Sequence, residues 1–312
     1  MRLGARIWLA FLLVVASAPA HAGGVLDRVR VDRILHCGAV ARPGIAEGDN
    51  PPTGVLVDLC HAVAIAVLGP TARVAFDIYE SPRNNDAARR ERDEIAFLAG
   101  GEIADQRLGR FVAPGPTVLI SMVGVLVPEV SPARRLADLA GQTVCLMIGS
   151  RAQRALESAA GSRDLAISRR TFEEEDELLD AYNAGSCDAA VGETTYLADM
   201  RRNPGIRRTA SRLLPDALAP DPIIAATPRA DGDWSATVGW VIDALLLADA
   251  PHDRWGGSTP VVELRPDWHR EVSAAVGGYG AIIHRNLTER LGLPPGPNAV
   301  WPAGMLLPPS IR

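Results

Sequence analysis

The chain of 312 residues contains no lysine: all 32 of its basic residues are arginine. We read this as the codon bias of a GC-rich gene. It removes Schiff-base chemistry and the phosphate-holding lysine of a P-loop. A net charge of -5 likewise lacks the basic excess expected of a nucleic-acid binder. His36, His61, His252, His269 and His284 show no metal-ligand spacing. No Gly-x-Ser-x-Gly elbow occurs, and Ser150 has no identifiable base. Gly277 to Gly280 only superficially resembles a glycine-rich phosphate loop, because no strand-to-helix context surrounds it. Internal repeats and low-complexity tracts are absent, and charges or prolines interrupt every apolar run beyond the first residues.

The N-terminus reads as a secretory leader spanning 1-22. Arg2 and Arg6 form its positive end, Ile7 to Ala16 its apolar run, and Ala20-His21-Ala22 a small-x-small cleavage site. The apolar run is shorter than the roughly 20 residues of a membrane-spanning helix. No Cys sits at the cleavage point to accept a lipid. The expected product is exported and soluble. Hydrophobic content of 47% supports a full-sized core. Four cysteines follow the leader, Cys37, Cys60, Cys145 and Cys187, two in each half of the mature chain. An even count in an exported chain implies disulfides, and the distribution implies two lobes. Three pairings are open at this level.

Strand-like and helix-like segments alternate. Arg33 to Val40 reads as a strand, Val57 to Leu68 as a helix stopped by Gly69-Pro70, and Ala72 to Ile78 as a strand. The run Arg89 to Asp93 is expected on a solvated helix face, and Ser121 to Val127 as a continuous apolar strand. Leu136 to Gly141 reads as a short helix and its C-cap, Thr143 to Ile148 and Cys187 to Val191 as strands. Trp234 to Leu247 reads as a long helix. Ser150 with Gln153, and Thr171 with Glu174, have capping-box spacing. Such alternation predicts an α/β fold with largely parallel sheets.

Four segments carry a family resemblance. They are Leu35-His36-Cys37-Gly38; Gly54 to Ala64 with Ala66 to Gly69; Asp138 to Cys145 with Ala184 to Asp188; and the tail. The tail runs Gly278 to Ile283, Arg285 to Leu287, Asn298 to Trp301 and Gly304 to Pro309. Together they resemble the family 3 (type 2) periplasmic solute-binding proteins of ABC importers, especially the general L-amino-acid-binding branch. The resemblance implies a two-lobed fold, each lobe a mostly parallel sheet flanked by helices, joined by two hinge strands, with ligand held between the lobes. It implies lobe 1 from 25-124 and 224-312, and lobe 2 from 125-223. It also implies the pairing Cys37–Cys60 and Cys145–Cys187, which leaves the hinge free to open.

In that family an arginine of lobe 1 grips the α-carboxylate of the ligand. Lobe 2 assists with hydroxyls and amides at a helix N-terminus, and a carboxylate takes the α-ammonium. By resemblance the candidates are Arg107, with Arg110 as its fallback, then Ser150, Arg151 and Glu193. The Asn, Thr and Trp that precede the family's arginine are absent here, and Glu102 stands for an aromatic platform. Its charge is expected to oppose a carboxylate ligand or to attract a second ammonium. Arg151 stands where the family usually has Thr, and Ile45 lies near a missing early aromatic. The site therefore reads as eroded or re-specialised.

Three function classes follow: an ABC-importer solute-binding protein for an amino acid or related small polar solute; a periplasmic enzyme on the same fold, cyclohexadienyl-dehydratase-like; or a sensory or partner-binding protein. The first is the expectation, with an inner-membrane ABC permease as partner. A periplasmic monomer without cofactor, metal, nucleic-acid partner or enzymatic activity completes it.

Overall fold

The computed structural model describes residues 24–79, 93–103, 108–202, 210–249 and 264–307. The leader, the run at 89–92 and Arg107 lie outside them. Ten strands are described: β1 Ile34–Val40, β2 Arg73–Tyr79, β3 Ile95–Ala99, β4 Val112–Ala113, β5 Thr117–Pro128, β6 Thr143–Met147, β7 Ser168–Phe172, β8 Ala189–Glu193, β9 Ser211–Leu213 and β10 Ala219–Pro228. They run in the order β2-β1-β3-β10-β5-β8-β6-β7, with β4 on β10 and β9 on β5.

β1 is parallel to β2 and β3, and β6 is parallel to β7 and β8. Between these groups run the two long strands β5 and β10, antiparallel to each other. The two ends of β5 have different neighbours. Residues Thr117 to Val123 pair with β10, and Val123 to Leu126 pair with β8. β10 in turn passes from β5 to β3. These are the two connecting strands of a two-lobed α/β fold, and β5 is longer than the sequence pattern suggested.

A separate apolar core lies on each side. One gathers residues of the N-terminal third with C-terminal ones, including Leu35, Leu59, Trp234, Val241, Tyr279 and Ile282. The other side holds clusters built around Val125, Leu136, Leu146 and Leu156, and around Leu126, Leu178 and Tyr182. The helix Val55–Leu68 is buried along nearly its whole surface, with His61 and Asp58 only partly covered. An all-round apolar helix belongs inside, and this one lies among β1, β2 and the helix Trp268–Val276. Gly69 ends it at φ +89°, its N–H donating to Ile65 O at 2.8 Å.

The tail clasps the connecting strand. Tyr279 Oη donates to Val118 O at 2.9 Å, and Asn298 closes both backbone groups of Ile120. On the other side Arg201 and Arg202, ending the helix Thr194–Arg202, donate to Leu291 O and Glu289 O. Both disulfides form within a lobe: Cys37–Cys60 with Cα atoms 6.4 Å apart, and Cys145–Cys187 at 5.7 Å. Cys187 precedes β8 rather than lying in it.

Three local expectations are corrected. Asp93 is buried and accepts from Tyr79 Oη at 2.6 Å, so it is not on a solvated helix face. Thr171 lies in β7, and the next helix starts at an N-cap, Glu174, without a side-chain cap bond. Strand pairing with β6 claimed Thr171 before a cap could form there. Ser150 does cap its helix, but Gln153 returns its oxygen to the amide of Gly149 rather than of Ser150.

Candidate functional site

The carboxyl ends of β1, β3 and β8 converge on the middle of the connecting strands, and there four charged side chains meet. Arg42 follows β1 in a closed turn, with its N–H donating to Ala46 O at 2.9 Å and its carbonyl accepting from Ile45 and Ala46. Gly44 occupies the left-handed region of that turn at φ +68°. A Cβ there would fall 2.7 Å from Leu291 Cδ1. Ile45 is thereby fully buried and packs in the core, so it does not replace the missing aromatic at a ligand surface.

Glu193 ends β8 opposite Val123, and Asp221 lies on β10 opposite Ser121. Arg151 opens the helix Arg151–Gly161, which Ser150 caps. Arg42 Nη1 lies 3.4 Å from Glu193 Oε2 and 3.7 Å from Asp221 Oδ2. Arg151 Nη1 lies 3.6 Å from the other oxygen of Asp221, and its Nη2 donates to Pro220 O. Gly100, at the end of β3, donates its N–H to the same Asp221 oxygen at 3.1 Å. Ser121 Oγ lies 3.5 Å from Glu193 Oε2.

Two guanidiniums and two carboxylates thus form a neutral quartet, gathered from both lobes and a connecting strand. Asp221 is almost wholly covered, its side chain 4% exposed, and Arg42 is 13% exposed. Burying such charges costs several kcal/mol each unless they are paired, so the quartet is held by mutual neutralisation. Two of its donors nevertheless lack a hydrogen-bond acceptor among the described residues: Arg42 Nη1 and Arg151 Nε. Burial pushes the Glu193 carboxyl above the usual carboxylate range; Arg42 draws it back and Asp221 adds to the rise. Glu175 is raised by burial and, next, by the charge of Glu193.

Of the residues expected from the sequence, Arg151 and Glu193 are brought together through Asp221 and Arg42. Ser150 caps the helix beside them. Arg107 lies outside the described residues, and Arg110 is exposed in the 3-10 turn Leu108–Arg110. Glu102 does not stand in the cleft as a bare charge. It is buried and accepts from Ala99 N at 2.9 Å, closing its own turn. At the N-terminus after β6, the amides of Gly149, Ser150 and Gln153 already bond within the turn, so fewer are left for an anion than expected.

Arg42 and Asp221 are absent from the sequence reading. Arg42 stands in the loop that follows β1, and Asp221 between Pro220 and Pro222, two places to which no role was assigned. The available signal was a charged residue isolated in each apolar or proline-bounded stretch.

The path of two long antiparallel strands joining the parallel strands of one side to those of the other is that of the type 2 periplasmic binding protein fold. No protein-family model matches the chain. It is similar, at 23% identity over 97% of both chains, to YhdW of Escherichia coli strain K12, named as an amino-acid ABC transporter-binding protein. It is 26% identical to the general L-amino acid-binding periplasmic protein AapJ of Rhizobium johnstonii, covering 99% of this chain and 98% of AapJ. A periplasmic binding protein from Brucella ovis, solved with glutathione bound, superposes with a TM-score of 0.70. That match has 22% identity and covers 90% of this chain and 97% of the other. The chain thus has the fold of the periplasmic binding proteins and is similar along nearly its whole length to amino-acid ABC transporter-binding proteins.

Proposed function

We propose that the protein is the solute-binding component of an amino-acid ABC importer, taking an amino acid or related small polar solute between its lobes. The observation that carries this reading is the quartet Arg42, Arg151, Glu193 and Asp221, to which both lobes contribute at the connecting strands. Cations and carboxylates side by side suit a zwitterion. Arg151, with the hydroxyl of Ser150 beside it, takes the carboxylate, and Glu193 takes the ammonium. Arg107 of lobe 1 is the second carboxylate partner carried by the family resemblance. Binding to both lobes stabilises the closed form that a permease recognises. Lobe 1 comprises 25-124 and 224-312, and lobe 2 comprises 125-223. The protein acts as a periplasmic monomer and as a carrier rather than an enzyme.

Calorimetry of the mature protein against the standard amino acids tests this reading. At least one is expected to bind, and Glu193→Ala and Arg151→Ala are each expected to weaken it about tenfold or more, as loss of a charge-assisted contact does. No heat with any amino acid at millimolar concentration would dismiss the amino-acid reading. Undiminished binding in both variants would dismiss the assigned residues.

A further inference from the structure

Arg42 lies where a solute's cation is expected. Its Nη1 is placed between Glu193 Oε2 at 3.4 Å and Asp221 Oδ2 at 3.7 Å, within ion-pair range of the two carboxylates that would attract an ammonium. The turn after β1 fixes its backbone, while its long side chain reaches from one lobe's strand end to the other's. Arg151 neutralises the second oxygen of Asp221. All four charges are therefore balanced within the protein itself. A solute ammonium entering beside Glu193 meets a guanidinium already there, in a partly covered region, and like charges at such range repel.

Resting on the reading of this cleft as an amino-acid site, we propose that Arg42 is a specificity-determining residue that occupies the solute's ammonium subsite as an internal cation. Two consequences follow. With no solute, the Arg42–Glu193 pair crosses between the lobes and holds the cleft closed. With solute, the guanidinium must leave its carboxylates, which penalises every ligand whose recognition rests on a single ammonium. Only a solute with contacts enough to offset that displacement binds well. The absence of a hydrogen-bond acceptor for the buried Nη1 fits such a group, held by charge and not locked by directed bonds.

The test compares the mature protein with Arg42→Gln, which leaves a polar side chain two bonds shorter and removes the charge. L-alanine, L-glutamine and L-arginine serve as calorimetric probes, and small-angle scattering reports lobe opening without solute. Arg42→Gln is expected to bind L-alanine or L-glutamine about tenfold more tightly or better, and to have a larger radius of gyration than the unsubstituted protein when empty. Weaker or unchanged affinity would overturn the inference, since Arg42 would then hold the solute or stand apart from it. If neither protein binds any probe, the specificity role of Arg42 falls, the amino-acid reading is decided by the full set of standard amino acids, and scattering alone decides on the latch. Identical scattering profiles then overturn the latch as well.

Discussion

The grip of the tail on β5 gives a prediction with a definite size. β8 joins β5 only between Val123 and Leu126, so Ile120 lies beyond the end of that strand. The Asn298 amide takes the place of a neighbouring strand: Ile120 N–H donates to its Oδ1 at 2.6 Å, and its Nδ2 donates to Ile120 O at 3.0 Å. Asn298 is 6% exposed and Ile120 8%, so water does not easily replace either bond. Asn298→Leu keeps the branched shape, in a somewhat larger side chain, and strands one donor and one acceptor. Each buried group left unsatisfied costs about 1–3 kcal/mol, giving roughly 2–6 kcal/mol in all. For a chain of this size that is a fall in Tm of roughly 4–24 °C. Circular dichroism melts of the mature protein at pH 7.5 measure it. A fall of under 1 °C would show that water or β10 replaces the amide, and the reasoning from backbone satisfaction would be wrong.

Two further outcomes are expected. Replacing Cys37 and Cys60 together by alanine opens a cross-link spanning 23 residues. Chain entropy then predicts a loss of about 3 kcal/mol in urea unfolding with solute affinity retained, and an equal loss of affinity would show that the bridge shapes the site. Asp243, in the long helix Gly232–Ala248, has a pKa raised by burial from 3.8 to about 6. The folded state therefore holds this proton more tightly than the unfolded chain. The stability that goes with it is full below pH 3.8 and lost as pH rises through 6. Asp243→Asn should accordingly stabilise the protein at pH 7.5, by a margin that shrinks towards pH 4.5. A margin independent of pH would contradict the assigned ionisation.

Much of the scaffold is written in local pattern. The apolar run around Cys60 specifies a buried helix, and Gly69-Pro70 its end. The runs at Cys37, Val123 and Cys145 specify strands, because burial on two faces demands continuous apolar residues. The cysteines alone left three pairings open, and family resemblance to whole segments selected the pair that the fold forms. Local pattern misled where a tertiary partner outbid it. Thr171 has cap spacing but is taken by β6, and Asp93 ends a charged run but finds the Tyr79 hydroxyl inside the core. Glu102 was given to the cleft and instead closes its own turn.

The site divides in the same way. The positions of Arg151 and Glu193 were legible because each stands at a junction of strand and helix, where segment resemblance fixes the place, and their contact with a solute is proposed. Arg42 and Asp221 were not legible, because nothing near either residue in the chain supplies its partner. Sequence by itself determined the alternation of elements and the α/β class, which follow from short-range periodicity, while the two-lobed fold came from the resemblance of whole segments. The tertiary structure alone decided that residues 42, 151, 193 and 221 share one neutral cluster. Buried charges must find opposite charges wherever the chain crossing brings them, and that meeting leaves no trace in local order.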